Sequence, residues 1–451
     1  MTDTTAQPDT VAGRTIRPAY ANYVLGLLLV IYILNNLDRQ VINILAEPIK
    51  QELHLADWQV GIMSGISFAL IYTIMAIPIA RLAEYRHRPY IIATAVTVWC
   101  GFTALCAAAQ SFVQLCLCRF GVGVGEAGGV PPSQSLISDY FPKAKRASAM
   151  GLFAIGVPLG GLIGMAFGGL VADAYGWRTA FLLAGAPGLI LAGLVVLTMK
   201  ETRVNLAGRA AEARASQIPL RDAFALLASK QTFWFLSLAV GFKVLFTDGQ
   251  APFLASFFLR SHGVEIADMA ADFGLRPMGL LGVSIGLING IFGALGGWIG
   301  GVIADRAAAR DIRNVVVAPA IALIVAAPAY IAALHVESAV AAAGFLVLQS
   351  FMNVFWAGPV YATLHGVVPS NMRATATACA MFIINLMGTG LGPLFVGLLS
   401  DLFAGPLGQG PAAGLRSALS VAAIASLAGV ACYALARRTI VADLVEEVGE
   451  R

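Results

Sequence analysis

Charge is what this chain has least of. Asp, Glu, Lys and Arg make up 12% of its 451 residues, where a soluble protein carries roughly 25%. That shortfall excludes an ordinary water-facing surface. Histidine is scarce as well: His54, His87, His262, His335 and His365 are scattered, mostly in loops. No metal-ligand spacing and no nucleophile with its base emerges, so no catalytic residue, metal site or cofactor is expected. The six cysteines all lie in apolar segments. Cys116 and Cys118 are two apart on a helix and point away from each other, so all six read as small buried hydrophobes. The first 20 residues lack an apolar core segment. They are no cleavable leader and read as a disordered arm.

What is present is apolar length. Hydrophobic residues are 58% of the chain, and runs of about 20 recur from end to end. Twelve candidate membrane spans, numbered in order, cover about 21–45, 58–82, 90–110, 112–138, 147–171, 179–199, 231–259, 277–304, 314–335, 338–366, 374–402 and 413–436. The fold class is therefore an all-α polytopic membrane protein.

The basic residues orient it. With both termini placed in the cytoplasm, the outer connections hold only Lys50, Arg178, Arg260, Arg276 and Arg416. Arg39, Arg119 and Lys243 lie in spans, and every other Lys and Arg falls inside, as the positive-inside rule requires. The net charge of +4 thus reflects topology and gives no reason to expect a nucleic-acid partner. No obligate protein partner is evident either.

One long polar connection, 200–230, separates six spans from six. The expected domains are a cytoplasmic arm (1–20), a first bundle (21–199), the linker (200–230), a second bundle (231–437) and a cytoplasmic tail (438–451). The halves echo each other. Pro142, Arg146 and Asp173 recur at matching spacing as Pro369, Arg373 and Asp401, and Glu84 after span 2 recurs as Asp305 after span 8. Two six-span repeats describe a transporter whose halves rock about a midplane site.

Span 4 carries Arg119 and Glu126, seven apart and so on one helix face. An ionised side chain at the bilayer centre costs from about 3 to more than 10 kcal/mol. That face must turn inward. Span 1 carries Asp38 and Arg39 within Asn35-Asn36-Leu37-Asp38-Arg39-Gln40. Two readings stand: a buried structural salt-bridge cluster, or a proton and anion site. In the second, Asp38 and Glu126 take up protons. Arg39 and Arg119 hold the substrate's anionic group, or neutralise the carboxylates between proton loads. Lys243 and Asp248 in span 7 are five apart and do not stack on one face; both are further substrate-site candidates. Asn289, Gln349, Asn353, Trp356, Tyr361 and Asn385 read as helix–helix contacts. The second half is otherwise greasy, which suits an amphipathic substrate. The alternating Gly121, Gly123 and Gly125 follow no strand and form no nucleotide loop.

These residues carry a resemblance. Gly301, Asp305 and Arg306 match the G-x-x-x-D-R signature of the major facilitator superfamily, and the first copy matches loosely, with Ala80 and Glu84 at the glycine and aspartate positions. Within the superfamily, LNNLDRQVINILAEPIKQEL, RFGVGVGEAGGVPPSQSLISDYFP and GWRTAFLLAGAPG resemble the bacterial spinster-like group. The resemblance implies twelve helices in two pseudo-symmetric bundles and a bacterial inner-membrane location. It also implies alternating access and proton-coupled movement of a lipid-like anion, with the charges of spans 1 and 4 engaged in it. The runner-up is a proton-coupled drug or small organic-anion transporter. In the resembled fold, span 2 lies against 11 and span 5 against 8. Glu84 would then meet Arg373, and Asp305 would meet Arg146, closing the cytoplasmic side in the outward-open state. Arg88 and Asp139 are expected to pair within the first half.

Overall fold

The computed structural model describes residues 10–11, 14–15, 17–203, 220–369 and 372–445. Arg209 and Arg214 of the linker and Arg451 of the tail lie outside the described residues. Ten helices, some continued across a kink, are long and apolar enough to cross a membrane. The other two spans are interrupted. Span 4 runs Phe112–Glu126, then Val130–Tyr140. Pro131 and Pro132 lack the N–H groups that a continuous helix would need there. Span 7 runs Gln231–Gln250, then Leu254–Ser261, and breaks around Pro252.

The interruptions follow the internal repeat. Span 10, the counterpart of span 4, also breaks, between Ala339–Asn353 and Ala357–Gly366. Spans 8 and 11 each contain a π turn, Ile288–Phe292 and Leu386–Gly390. Such turns are rare and collect at functional positions.

Span 1 packs on span 5 and span 3 on span 6, while span 2 meets span 11 and span 5 meets span 8 across the halves. The cross-half pairing is the one the resemblance implies. Glycine makes that approach possible. A Cβ on Gly61 would collide with the Pro393 carbonyl, and one on Gly282 with the Met165 carbonyl. Outward faces carry exposed Ile190, Leu197, Trp298 and Leu398, as a lipid-facing surface does.

Tyr20 bridges the two ends of the first bundle, donating to the Thr198 carbonyl at 2.7 Å and accepting from Lys200 N at 3.0 Å. Lys230 Nζ donates to the Asp443 carbonyl at 2.8 Å. Both chain ends and both linker ends therefore sit at one end of the bundle, the terminal end; the opposite end is distal.

Three expectations change. Thr10–Val11 pairs antiparallel with Arg14–Thr15 inside the arm read as disordered. The linker contains a helix, Leu220–Ser229. The last helix runs to Asp443, into residues read as tail.

Candidate functional site

Between spans 1 and 4 the four embedded charges form two crossed pairs. Arg39 Nε donates to Glu126 Oε2 at 2.6 Å. Arg119 Nη1 stands 3.8 Å from Asp38 Oδ2. Asp38, Arg119 and Glu126 are essentially unexposed, whereas the Arg39 side chain keeps 31% exposure. Arg39 is thus the face the cluster shows to the path between the halves, with Glu126 behind it. Among the described residues, no group hydrogen-bonds either oxygen of Asp38, nor Oε1 of Glu126.

Span 2 supplies the floor. Both guanidiniums lie over Phe68, Arg39 at 5.0 Å and Arg119 at 5.1 Å, and Arg39 also lies 4.7 Å from the Tyr72 ring. Each such contact is worth ~0.5–2 kcal/mol, more as water is excluded. The span 4 glycines set these distances: a Cβ at Gly123 would meet the Phe68 carbonyl at 2.8 Å, and one at Gly125 the Trp99 nitrogen at 2.5 Å. The polar run of span 1 is satisfied only in part, with both polar atoms of the Asn35 side chain also unpartnered among the described residues. Asn36 donates to the Tyr32 carbonyl at 2.8 Å, and Asn43 to the Arg39 carbonyl at 3.2 Å.

The hydrogen bonds and ion pairs that join the halves among the described residues lie at the distal end. Arg260 reaches from the second half to Glu47 at 2.7 Å and to both oxygens of Asp57 at 3.0 Å. Asp57 also accepts from Lys50 at 2.5 Å and from Ser400 at 2.6 Å. Asp401, at the end of span 11, accepts from Asp57 N at 3.1 Å and Trp58 N at 2.8 Å, capping span 2 of the other half. Asp173, at the end of span 5, accepts from Gly279 N at the start of span 8. Sequence reasoning missed this seal. Its only signal was Asp173 and Asp401 recurring at the same place in the repeat.

At the terminal end the hydrogen bonds described for Arg146 and Arg373 lie within their own halves. Arg146 Nε donates to the Phe141 carbonyl at 3.1 Å, and Arg373 Nε to the His365 carbonyl at 3.3 Å. Glu84 and Asp305 are exposed. The cross-half pairs Glu84–Arg373 and Asp305–Arg146 are not formed in this state, in which the distal side is sealed. Arg88 and Asp139 do pair, at 2.7 Å. The residues after span 6 complete that contact, which the sequence did not suggest. Glu201 accepts from Arg88 N at 2.8 Å and Arg88 Nε at 3.0 Å. Arg203 donates to the Ala83 and Glu84 carbonyls, each at 2.8 Å. Burial pushes the Glu201 carboxyl up, but the hydrogen bonds and charge of Arg88 outweigh it and hold the group below its ordinary value.

In the second half, Lys243 and Asp248 do not pair. Asp248 accepts from Thr389 in the π turn of span 11 at 2.6 Å. Lys243 lies 5.4 Å over the Trp356 ring. Asn289 is a helix–helix contact as expected, accepting from Ser350. Gln349, Asn353 and Trp356 line a recess beside Lys243.

Comparison with known proteins follows this geometry. The chain is 32% identical over 430 residues to an MFS-type efflux pump of Mycolicibacterium smegmatis, covering 95% of this chain and 96% of that one. It is 26% identical over 384 residues to the mouse sphingosine-1-phosphate transporter SPNS2, covering 82% and 68%. Among solved structures, a bacterial homolog to the human lysosomal transporter Spinster, in an inward-facing and unoccupied conformation, superposes with a TM-score of 0.84. That match has 30% identity and covers 96% of this chain and 100% of the other. Residues 28–393 match the family described as the Major Facilitator Superfamily, and the chain belongs to it.

Proposed function

We propose that this is a proton-coupled secondary transporter moving an amphipathic, lipid-like anion by alternating access across a bacterial inner membrane. Both termini are cytoplasmic, so the sealed distal end is external and the path opens inward. One observation carries the reading: two acid–arginine pairs, Arg39–Glu126 and Asp38–Arg119, are buried where spans 1 and 4 meet the path. Protonating Glu126 or Asp38 neutralises one acid and releases its arginine. The freed guanidinium then suits a phosphate or carboxylate head. The greasy second-half wall suits the chain behind that head, and the relation to a sphingosine-1-phosphate transporter supports a lipid of this kind.

The test is uptake of lysophospholipids and sphingoid phosphates into liposomes under an imposed pH gradient. Wild-type protein accumulates substrate along the gradient. Asp38→Asn and Glu126→Gln each lose gradient-driven accumulation and keep substrate exchange. If both variants still accumulate substrate, proton coupling does not run through these acids. A second reading, export of a drug or small organic anion, is supported by the relation to an efflux pump over nearly the full chain. A broad ligand panel that competes with the lysolipid would favour it.

A further inference from the structure

Charge balance separates the two halves of the path. In the first half each arginine already has its acid. In the second half Lys243 has only Asp248 within electrostatic reach: among the described residues its Nζ makes no hydrogen bond or ion pair, and the Asp248 carboxylate is engaged by Thr389. A lysine in a membrane span needs a counter-charge or water. It lies over the face of Trp356.

Beside it lies an open recess between spans 7, 9, 10 and 12. Among the polar side chains that line it, three have an atom lacking a protein partner among the described residues: Gln349 Nε2, Tyr433 Oη and Asn353 Oδ1. Gln349 is 3% exposed and Tyr433 1%. Leaving such groups unmatched is destabilising. Lys243, Gln349 and Tyr433 bring donors to one space, with Asn353 Oδ1 an open acceptor beside them. That is the complement of an oxyanion with a hydroxyl beside it. The recess is open on one side and encloses little more than the space of a water, so only a small head group docks at its mouth and a long chain stays outside.

We propose that this recess is the oxyanion head-group site in the distally sealed state, with Lys243 as its counter-charge and Gln349, Tyr433 and Asn353 as its polar frame. The site takes a phosphate monoester or carboxylate on an apolar body. It rests on the transporter reading and deepens it: the head is captured at Lys243 while both arginines are still held by their acids.

Binding to full-length protein in phosphatidylcholine nanodiscs tests this, with oleoyl lysophosphatidic acid, oleate, inorganic phosphate and uncharged monooleoylglycerol as probes. Wild type binds the single-chain anions at least tenfold tighter than monooleoylglycerol. Lys243→Met removes that margin, Lys243→Arg keeps it within about threefold, and Gln349→Leu narrows it by threefold or more. Thermal melting checks that each variant is folded. Loss of inorganic phosphate binding in Lys243→Met, with no preference for the single-chain anions, would identify free phosphate as the ligand of the same site. If Lys243→Met keeps the margin and Arg39→Gln or Arg119→Gln loses it, the site is wrong and the transporter reading survives. No margin in wild type overturns the anionic substrate itself.

Discussion

Asp38 and Arg119 are both withdrawn from solvent at 3.8 Å, without a hydrogen bond between them. Such a pair is worth little in itself, but half of it is costly: removing one partner from a buried pair destabilises by about 3–5 kcal/mol. Arg119→Met is therefore expected to lower the melting temperature of the purified protein. Asp38→Asn in the same chain should recover most of the loss, which thermal melts of the two singles and the double would reveal. Glu201 obeys a different rule, since it lies outside the spans. Its folded-state value is held below the ordinary 4.5. The stabilisation is therefore present above about pH 4.5 and is lost as pH falls through the folded value. Melting curves across that window should show wild type weakening toward acid while Glu201→Gln is flatter. The sequence announced Asp38, Arg39, Arg119 and Glu126 because charge in an apolar run is conspicuous. It could not announce Glu201, an ordinary acid in a polar connection, nor the way the four charges cross. Lys243 was visible too. The recess beside it was not, since Gln349 and Asn353 lie far from Lys243 in the chain and Tyr433 lies farther still.

Helix ends carry the conformational chemistry. An N-cap carboxylate normally precedes its own helix. Here Asp401 and Asp173 cap helices of the opposite half, so each cap exists only while the distal end is shut. Replacing a capping Asp by Ala costs ~0.5–2 kcal/mol. The double variant Asp173→Ala with Asp401→Ala should shift the ratio of sealed to distally open molecules by on the order of 30-fold. Electron-spin distances across the distal ends of spans 5 and 8 would measure it; an unchanged distribution would remove the caps from the gate. The spans themselves were legible from apolar length. Their interruptions were less so, because a glycine or proline in a span marks a kink without fixing which backbone groups are released.

For the whole molecule, the repeat predicts that what is made at one end is unmade at the other. The distal seal is formed here, and the hydrogen bonds described for Arg146 and Arg373 lie within their own halves. Exchanging charge at one terminal contact, Glu84→Arg or Arg373→Glu, should slow transport, and the double exchange should restore it. Exchange rates in proteoliposomes decide the matter, and two slow singles with a slow double would dissolve the pairing.

The crossed caps have one more consequence. An empty carrier that opened distally would strip the acceptors from Asp57 N, Trp58 N and Gly279 N together and would scatter the ions around Arg260. In the unloaded protein only the terminal acid–base contacts, Glu84 with Arg373 and Asp305 with Arg146, would offset that loss. Ligand can shift the balance only through tighter binding to the opened form. The latch therefore acts against slip: cargo that binds the opened form more tightly raises how often the distal face is uncovered.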